Sequence, residues 1–99
     1  MARRVVWTSR ADELFSEVLR FYVHRNKSKS YSRKLNREIN KLIQLLLLYP
    51  FLGMKTDTTG IRVFIKGHFK IFYELKPNEL VIHLVWDTRQ DPDKLSIQK

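Results

Sequence analysis

The chain predicts a single α+β domain over residues 1–99, with two N-terminal helices packed on one face of a small, antiparallel-dominated sheet. Two observations carry that expectation. Apolar residues recur at helical spacing from Ala11 to Leu46, then switch to strand-like alternation from Ile61 to Trp86. Turn residues, Gly67-His68 and Pro77-Asn78, cut the second half into three strands. A chain of 99 residues builds one core and not two. Its 43% hydrophobic content marks a folding sequence.

Val5-Val6-Trp7 reads as a short first strand, and the pattern leaves its place in the sheet open. In Thr8-Ser9-Arg10-Ala11-Asp12-Glu13 a hydroxyl N-cap precedes a carboxylate three residues on, which marks a helix start. Ala11, Leu14, Phe15, Val18, Leu19 and Tyr22 then line one face of a helix that should reach about Val23. His24 to Lys29 is a polar connector, after which Ser30 or Ser32 can cap a second helix. Leu35, Ile39, Leu42, Ile43 and Leu46 form the buried stripe of that helix, and Pro50 marks its end. Two amphipathic helices joined by a short polar loop make an antiparallel hairpin.

Side-chain parity governs the three strands. A turn of Gly67 and His68 alone would set Arg62 opposite Tyr73 and mix the faces. A three-residue turn of Gly67, His68 and Phe69 instead pairs Lys66 with Lys70, Phe64 with Phe72 and Arg62 with Glu74. This second register is expected because it gathers Ile61, Val63, Ile65, Ile71, Tyr73 and Leu75 on the face under the helices. A turn at Pro77-Asn78 then pairs Leu75 with Leu80 and Tyr73 with Ile82, and brings Leu84 and Trp86 to the same inner face. The outer face would carry Arg62, Phe64, Lys66, Lys70, Phe72, Glu74, Val81, His83, Val85 and Asp87.

Nineteen Lys and Arg against ten Asp and Glu leave +9, which favours a polyanion or an acidic protein as partner. With no cysteine, disulfides and thiolate metal sites are excluded. The three histidines have no metal-ligand spacing, so neither metal nor cofactor is expected. The start of the chain lacks the apolar segment of a signal peptide, and the run at Leu45 to Leu48 falls far short of a membrane span. A cytoplasmic protein is expected.

Lys66 opposite Lys70 would be a like-charge pair, a local cost that function can explain. Phe64 and Phe72 beside those lysines would give apolar platforms next to cations, suited to phosphates and unstacked bases. The plainer alternative leaves the lysines solvated and the rings covered. His83, on the same face, could act as acid or base, as an imidazole can near neutral pH. Asp87 and Asp91 flank Arg89 and read as an ion-paired tail. The seven Lys or Arg between His24 and Lys41, against one Glu, read first as the solvated side of the helix hairpin.

Taken in order, the strand, helix hairpin and three strands resemble the RelE/ParE superfamily of bacterial type II toxins. The likeness covers nearly the whole chain. It includes Leu48-Tyr49-Pro50-Phe51-Leu52-Gly53 closing the second helix and Gly60-Ile61-Arg62 opening the sheet. Lys70-Ile71-Phe72-Tyr73-Glu74-Leu75 is similar to the family's Arg/Lys-Ile-Phe-Tyr strand, and Val85 to Pro92 sits where the family's last strand ends in a polar, arginine-bearing segment. The resemblance implies a growth-arresting toxin held inactive by a cognate acidic antitoxin whose C-terminal segment wraps it.

Two activities occur in that superfamily. RelE-like members cleave mRNA on the ribosome, using sheet cations to stabilise the scissile phosphate and a C-terminal Tyr or His near the 2′-hydroxyl. Arg62 matches the arginine opening the family's second strand. Lys66, Lys70 and Arg89 would be further cations, His83 the acid or base, and Lys55, Phe64 and Phe72 target-binding residues. No Tyr or His follows Trp86, so His83 or a lysine would have to replace the usual terminal group. ParE-like members inhibit DNA gyrase without catalysis; the missing terminal group and long second helix lean slightly that way, while the high positive charge fits a ribosome at least as well. Whether the protein is an enzyme therefore stays open at this point. A third reading, from another class, is a non-toxic basic nucleic-acid-binding module, recognisable by salt-dependent binding to generic DNA or RNA.

Overall fold

Capping chemistry starts the first helix where the sequence places it. In the structure, a computed structural model that describes residues 3–89, the Ala11 amide donates to Thr8 Oγ1 at 3.0 Å. The residue three beyond this cap is Ala11, so Asp12 complements the helix dipole instead of closing a capping box. Helix α1 spans Ser9–Asn26, three residues beyond Val23, with His24 and Arg25 in its last turn, where cations are favoured. Lys27 ends it in the left-handed conformation, at φ 52°.

Helix α2 spans Ser30–Leu48, but neither Ser30 nor Ser32 caps it. Lys29 holds the cap position without a side-chain hydrogen bond. Ser32 is buried and donates to the Leu19 carbonyl at 2.6 Å, so the expected cap is instead a stitch between the helices.

Five strands form one sheet: β1 (Arg4–Trp7), β2 (Met54–Lys55), β3 (Ile61–Lys66), β4 (Phe69–Leu75) and β5 (Glu79–Asp87), in the order β1-β5-β4-β3-β2. β1 runs parallel to β5, with Val5 beside Leu80 and Trp7 beside Ile82. β2 is a two-residue edge strand that the sequence pattern did not reveal. The main core lies between the hairpin and one face of the sheet, where Phe15, Val18, Leu35, Ile39, Ile43 and Leu46 meet Ile71, Tyr73, Leu80, Ile82 and Val85.

The register of the first sheet hairpin differs from expectation. Gly67 and His68 form the turn alone, and Lys66 pairs with Phe69, Ile65 with Lys70, Val63 with Phe72 and Arg62 with Tyr73. Gly67 at the first central position, φ 58°, has the backbone a two-residue type II′ turn demands, and only glycine takes it at no steric cost. Lys66 and Lys70 are therefore not opposite each other, and the like-charge pair does not form. The turn at residues 76–79 does give the expected pairs, Leu75 with Leu80 and Tyr73 with Ile82.

Mixed faces are tolerated because β5 carries a bulge. Tyr73 pairs with Ile82 but Phe72 pairs with Leu84, leaving His83 as the extra residue. Beyond it the parity of β5 inverts, so Val85 and Asp87 turn to the helix face while Leu84 and Trp86 turn away. A second apolar cluster of Ile61, Phe72, Leu84 and Trp86, with Val63 and Leu14 against it, results on the other face. The outer face is thus apolar at its centre and not the basic, aromatic platform expected. Phe64 lies half-buried against the main core, Phe72 is buried in the second cluster, and Ile61, Val63 and Ile65 lie opposite the helices.

Candidate functional site

The connector after α2 is folded onto the sheet by Tyr73. Its ring is fully buried, its hydroxyl donates to the Pro50 carbonyl at 2.7 Å, and it accepts from the Gly53 amide at 2.9 Å. Arg62, on β3 directly beside the edge strand, reinforces the same loop. Its Nε donates to the Gly53 carbonyl at 3.0 Å and its guanidinium carbon stands 5.1 Å from the centre of the Phe51 ring. Arg62 also lines an open cleft of about 410 Å³ with Lys55, Phe51 and the 56–60 loop. Around this loop, Leu48, Tyr49, Phe51, Leu52 and Met54 are exposed, a run of large apolar side chains facing solvent.

Arg89 is held at the far end of the sheet. Asp87, 1% exposed, receives Arg89 Nε at 3.0 Å on one oxygen and its terminal nitrogen at 2.9 Å on the other. Tyr22 donates its hydroxyl to the same carboxylate at 2.9 Å, and Arg89 donates onward to Tyr31 at 3.0 Å. The guanidinium also lies over the rings of Tyr22 and Phe69, at 5.5 and 5.9 Å. Burial alone would raise the Asp87 carboxyl, but hydrogen bonds from Arg89 and Tyr22 outweigh it and hold the group below the ordinary carboxylate range. Burial, then the bond to Asp87, raises the Tyr22 phenol. Hydrogen bonds to Asp87 and Tyr31 raise the Arg89 guanidinium.

The remaining candidates are spread apart. His83, at the bulge, shares a 2.9 Å hydrogen bond with Glu74 and is half-buried. Lys66 is exposed at the end of β3, and Lys70 faces the opposite side of the sheet across from Ile65 and Trp86. Arg62 and Lys66 share the helix face; Lys70 and His83 share the other. Lys55 is exposed on the edge strand beside Arg62. Lys55 lies across from Arg62, and Lys66 and Arg89 each adjoin Phe69, the one as its strand partner and the other over its ring. Asp91, the other half of the expected ion-paired tail, lies outside the described residues.

Two groups escaped sequence reading. Tyr22 read as a helix-face residue and Tyr31 was not singled out, though a tyrosine in a buried stripe signals a hidden partner for its hydroxyl. Gly53 read as connector, though a glycine beside a strand tyrosine is compatible with close backbone approach. Among the described residues no group of His, Asp or Glu is arranged to hold a metal, and no helix is long and apolar enough to cross a membrane.

A family model described as the ParE toxin of the type II toxin-antitoxin system, parDE, matches residues 5–92. Among solved structures, one titled "Chromosomal ParDE TA system from P. aeruginosa" superposes with a TM-score of 0.71 at 17% identity. The match covers 87% of this chain and 96% of the other, and shows a shared fold. A search of the curated proteins found no match.

Proposed function

The chain belongs to the ParE toxin family of type II toxin-antitoxin systems, which implies an antitoxin partner, and from that premise we propose that it arrests growth by binding DNA gyrase and not by cutting RNA. The engagement of its arginines carries this reading. A ribonuclease needs cations free to meet a scissile phosphate, converging with a proton-transfer group. Here Arg89 is neutralised by Asp87, Arg62 braces the 50–53 loop, and His83 is paired with Glu74 on the other side of the sheet. Inhibition by binding needs only a complementary surface, and the exposed apolar run from Leu48 to Met54 has the character of a protein contact.

The test pairs two assays of the purified protein. DNA supercoiling by purified gyrase should fall in a dose-dependent way, while primer extension on mRNA translated by purified ribosomes should show no new 5′ ends. New ends that depend on ribosomes, with supercoiling untouched, would overturn the proposal in favour of a RelE-like enzyme.

Arg62→Ala separates the two readings in cells. Losing the loop brace should cost about 1 kcal/mol of stability, read as a lower urea midpoint, while growth arrest on expression persists. A variant that folds but no longer arrests growth would return Arg62 to a role in chemistry or target binding.

A further inference from the structure

The basic stretch between residues 24 and 41 is not absorbed by any of the contacts described above. It holds seven Lys or Arg against one Glu. All seven cations are exposed, and none takes part in an ion pair among the described residues. At roughly 100° per residue, Arg33, Arg37, Lys41 and Gln44 project opposite the stripe of Leu35, Ile39, Ile43 and Leu46. Four-residue steps set Arg33, Arg37 and Lys41 about 6 Å apart along one rigid face. Their like charges repel, which weakens an isolated helix.

A second observation points the same way. Lys27, at the tip of the hairpin, sits in the left-handed region at φ 52°. Glycine is the usual residue there, and a side chain costs roughly 1 kcal/mol. Strain kept at a position that also carries charge is a sign of use.

Character separates the possible partners. Protein interfaces are anchored by buried aromatic and apolar side chains. Among the described residues the exposed large apolar side chains are Phe21 and those from Leu48 onward, with none between them. Single-stranded nucleic acid is gripped by stacking platforms, which the Arg33-to-Gln44 face of α2 also lacks. What it offers is an array of cations with Gln44 and Asn40 among them, the donor set that contacts phosphates.

We propose that the solvent face of the α1–α2 hairpin docks on the phosphate backbone of a nucleic-acid duplex. The surface is separate from the apolar run after α2, and its existence does not depend on gyrase being the target. It would let the protein hold a duplex with one face and a protein with the other.

Fluorescence anisotropy with a labelled DNA duplex of about twenty base pairs, titrated across salt, tests this. Binding should weaken linearly on a log–log plot with a slope of about −4 to −5. The Arg33→Gln/Arg37→Gln/Lys41→Gln variant should bind at least tenfold more weakly, with the slope reduced by about 2 to 3. Lys27→Gly should weaken binding a few-fold while its melting temperature stays level or rises, which separates charge from folding. A control, Lys66→Gln/Lys70→Gln/Lys76→Gln, removes equal charge from the sheet and should matter much less. Equal loss in the control would mean diffuse attraction and overturn the proposal. So would a single strand binding as tightly as the duplex, or polyglutamate displacing the duplex at equal charge concentration.

Discussion

Replacing Arg89 with leucine is expected to destabilise the protein by about 2–4 kcal/mol, less than for a wholly buried pair because the arginine side chain is 42% exposed. Asp87 is buried to 1% exposure, and its charge is tolerated because the guanidinium grips both oxygens. Removing Arg89 strips the carboxylate of its charged partner and leaves burial opposed only by neutral donors such as the Tyr22 hydroxyl and the residue-89 amide. A second substitution, Asp87→Asn, in the same background should restore roughly 2 kcal/mol by discharging the buried group. A small loss on Arg89→Leu, within about 1 kcal/mol, would mean the clasp is a surface ornament.

The pH dependence gives the same argument a sign. In the native protein the Asp87 pKa is depressed, so its contribution is complete above the ordinary carboxylate pKa near 4 and is lost as pH falls through the lower folded value. In Arg89→Leu the guanidinium's share of that depression is gone, so less stability is lost on acidification than in the native protein. Urea midpoints should therefore show a gap between the two proteins that narrows on acidification. A gap that widens would contradict the assignment. At the alkaline end, the raised Tyr22 phenol contributes fully below its ordinary pKa near 10 and loses that contribution as pH rises through the folded value.

Gly53→Ala is the second large effect. A Cβ there would stand 2.5 Å from the Tyr73 hydroxyl, 2.7 Å from its ring and 2.9 Å from the Val63 carbonyl. The first two belong to a fully buried ring and the third to backbone, so no flexible group can yield. Relief requires pulling the 50–53 loop away, which breaks the bonds from Tyr73 to Pro50 and from Gly53 to Tyr73. A cost of about 3 kcal/mol is expected, seen as a lower melting temperature. Proteolysis in the exposed loop should also become faster. Tyr73→Phe keeps the packing and loses the hydroxyl, and should cost less; the reverse order would place the strain elsewhere.

The helices were legible because each has one buried face and a period that shows it. Leu35, Ile39 and Ile43 are buried where the spacing says, and the fold class follows from them. The sheet was legible in its elements and misread in its register. Parity arguments assume an unbroken alternation, and one inserted residue, His83, inverts everything after it in β5. Leu84 and Trp86 were accordingly assigned to the wrong face, and Phe64 and Phe72 became platforms when they are core. The choice of turn fell to the same assumption. Gly67, the first residue of the expected three-residue turn, is a two-residue turn signal in its own right, and here it outranks tidy faces.

The candidate site was legible as a list of charges but not as an arrangement. Arg62 was singled out by its place at the start of a strand, and the structure puts it against Phe51 and Gly53. Arg89 was seen beside Asp87, but nothing in a linear pattern shows that Asp87 points inward to Tyr22. Contacts that join residues 22, 31, 87 and 89 depend on three elements closing on one another, information that periodicity does not carry.

The pairing of β1 with β5 has a bearing on when the protein becomes harmful. Arg4 and Glu79 are 75 positions apart, yet their side chains meet. During synthesis at about 5–20 residues per second, the first strand waits roughly 4–15 s for its neighbour to be made. Over that interval the nascent chain has an N-terminal strand with no sheet to join and a helix hairpin with half its core missing. The finished sheet exists only once β5 has been made. A cell that translates this protein is thereby given a delay, measured in seconds, in which a ready-made antitoxin can be waiting.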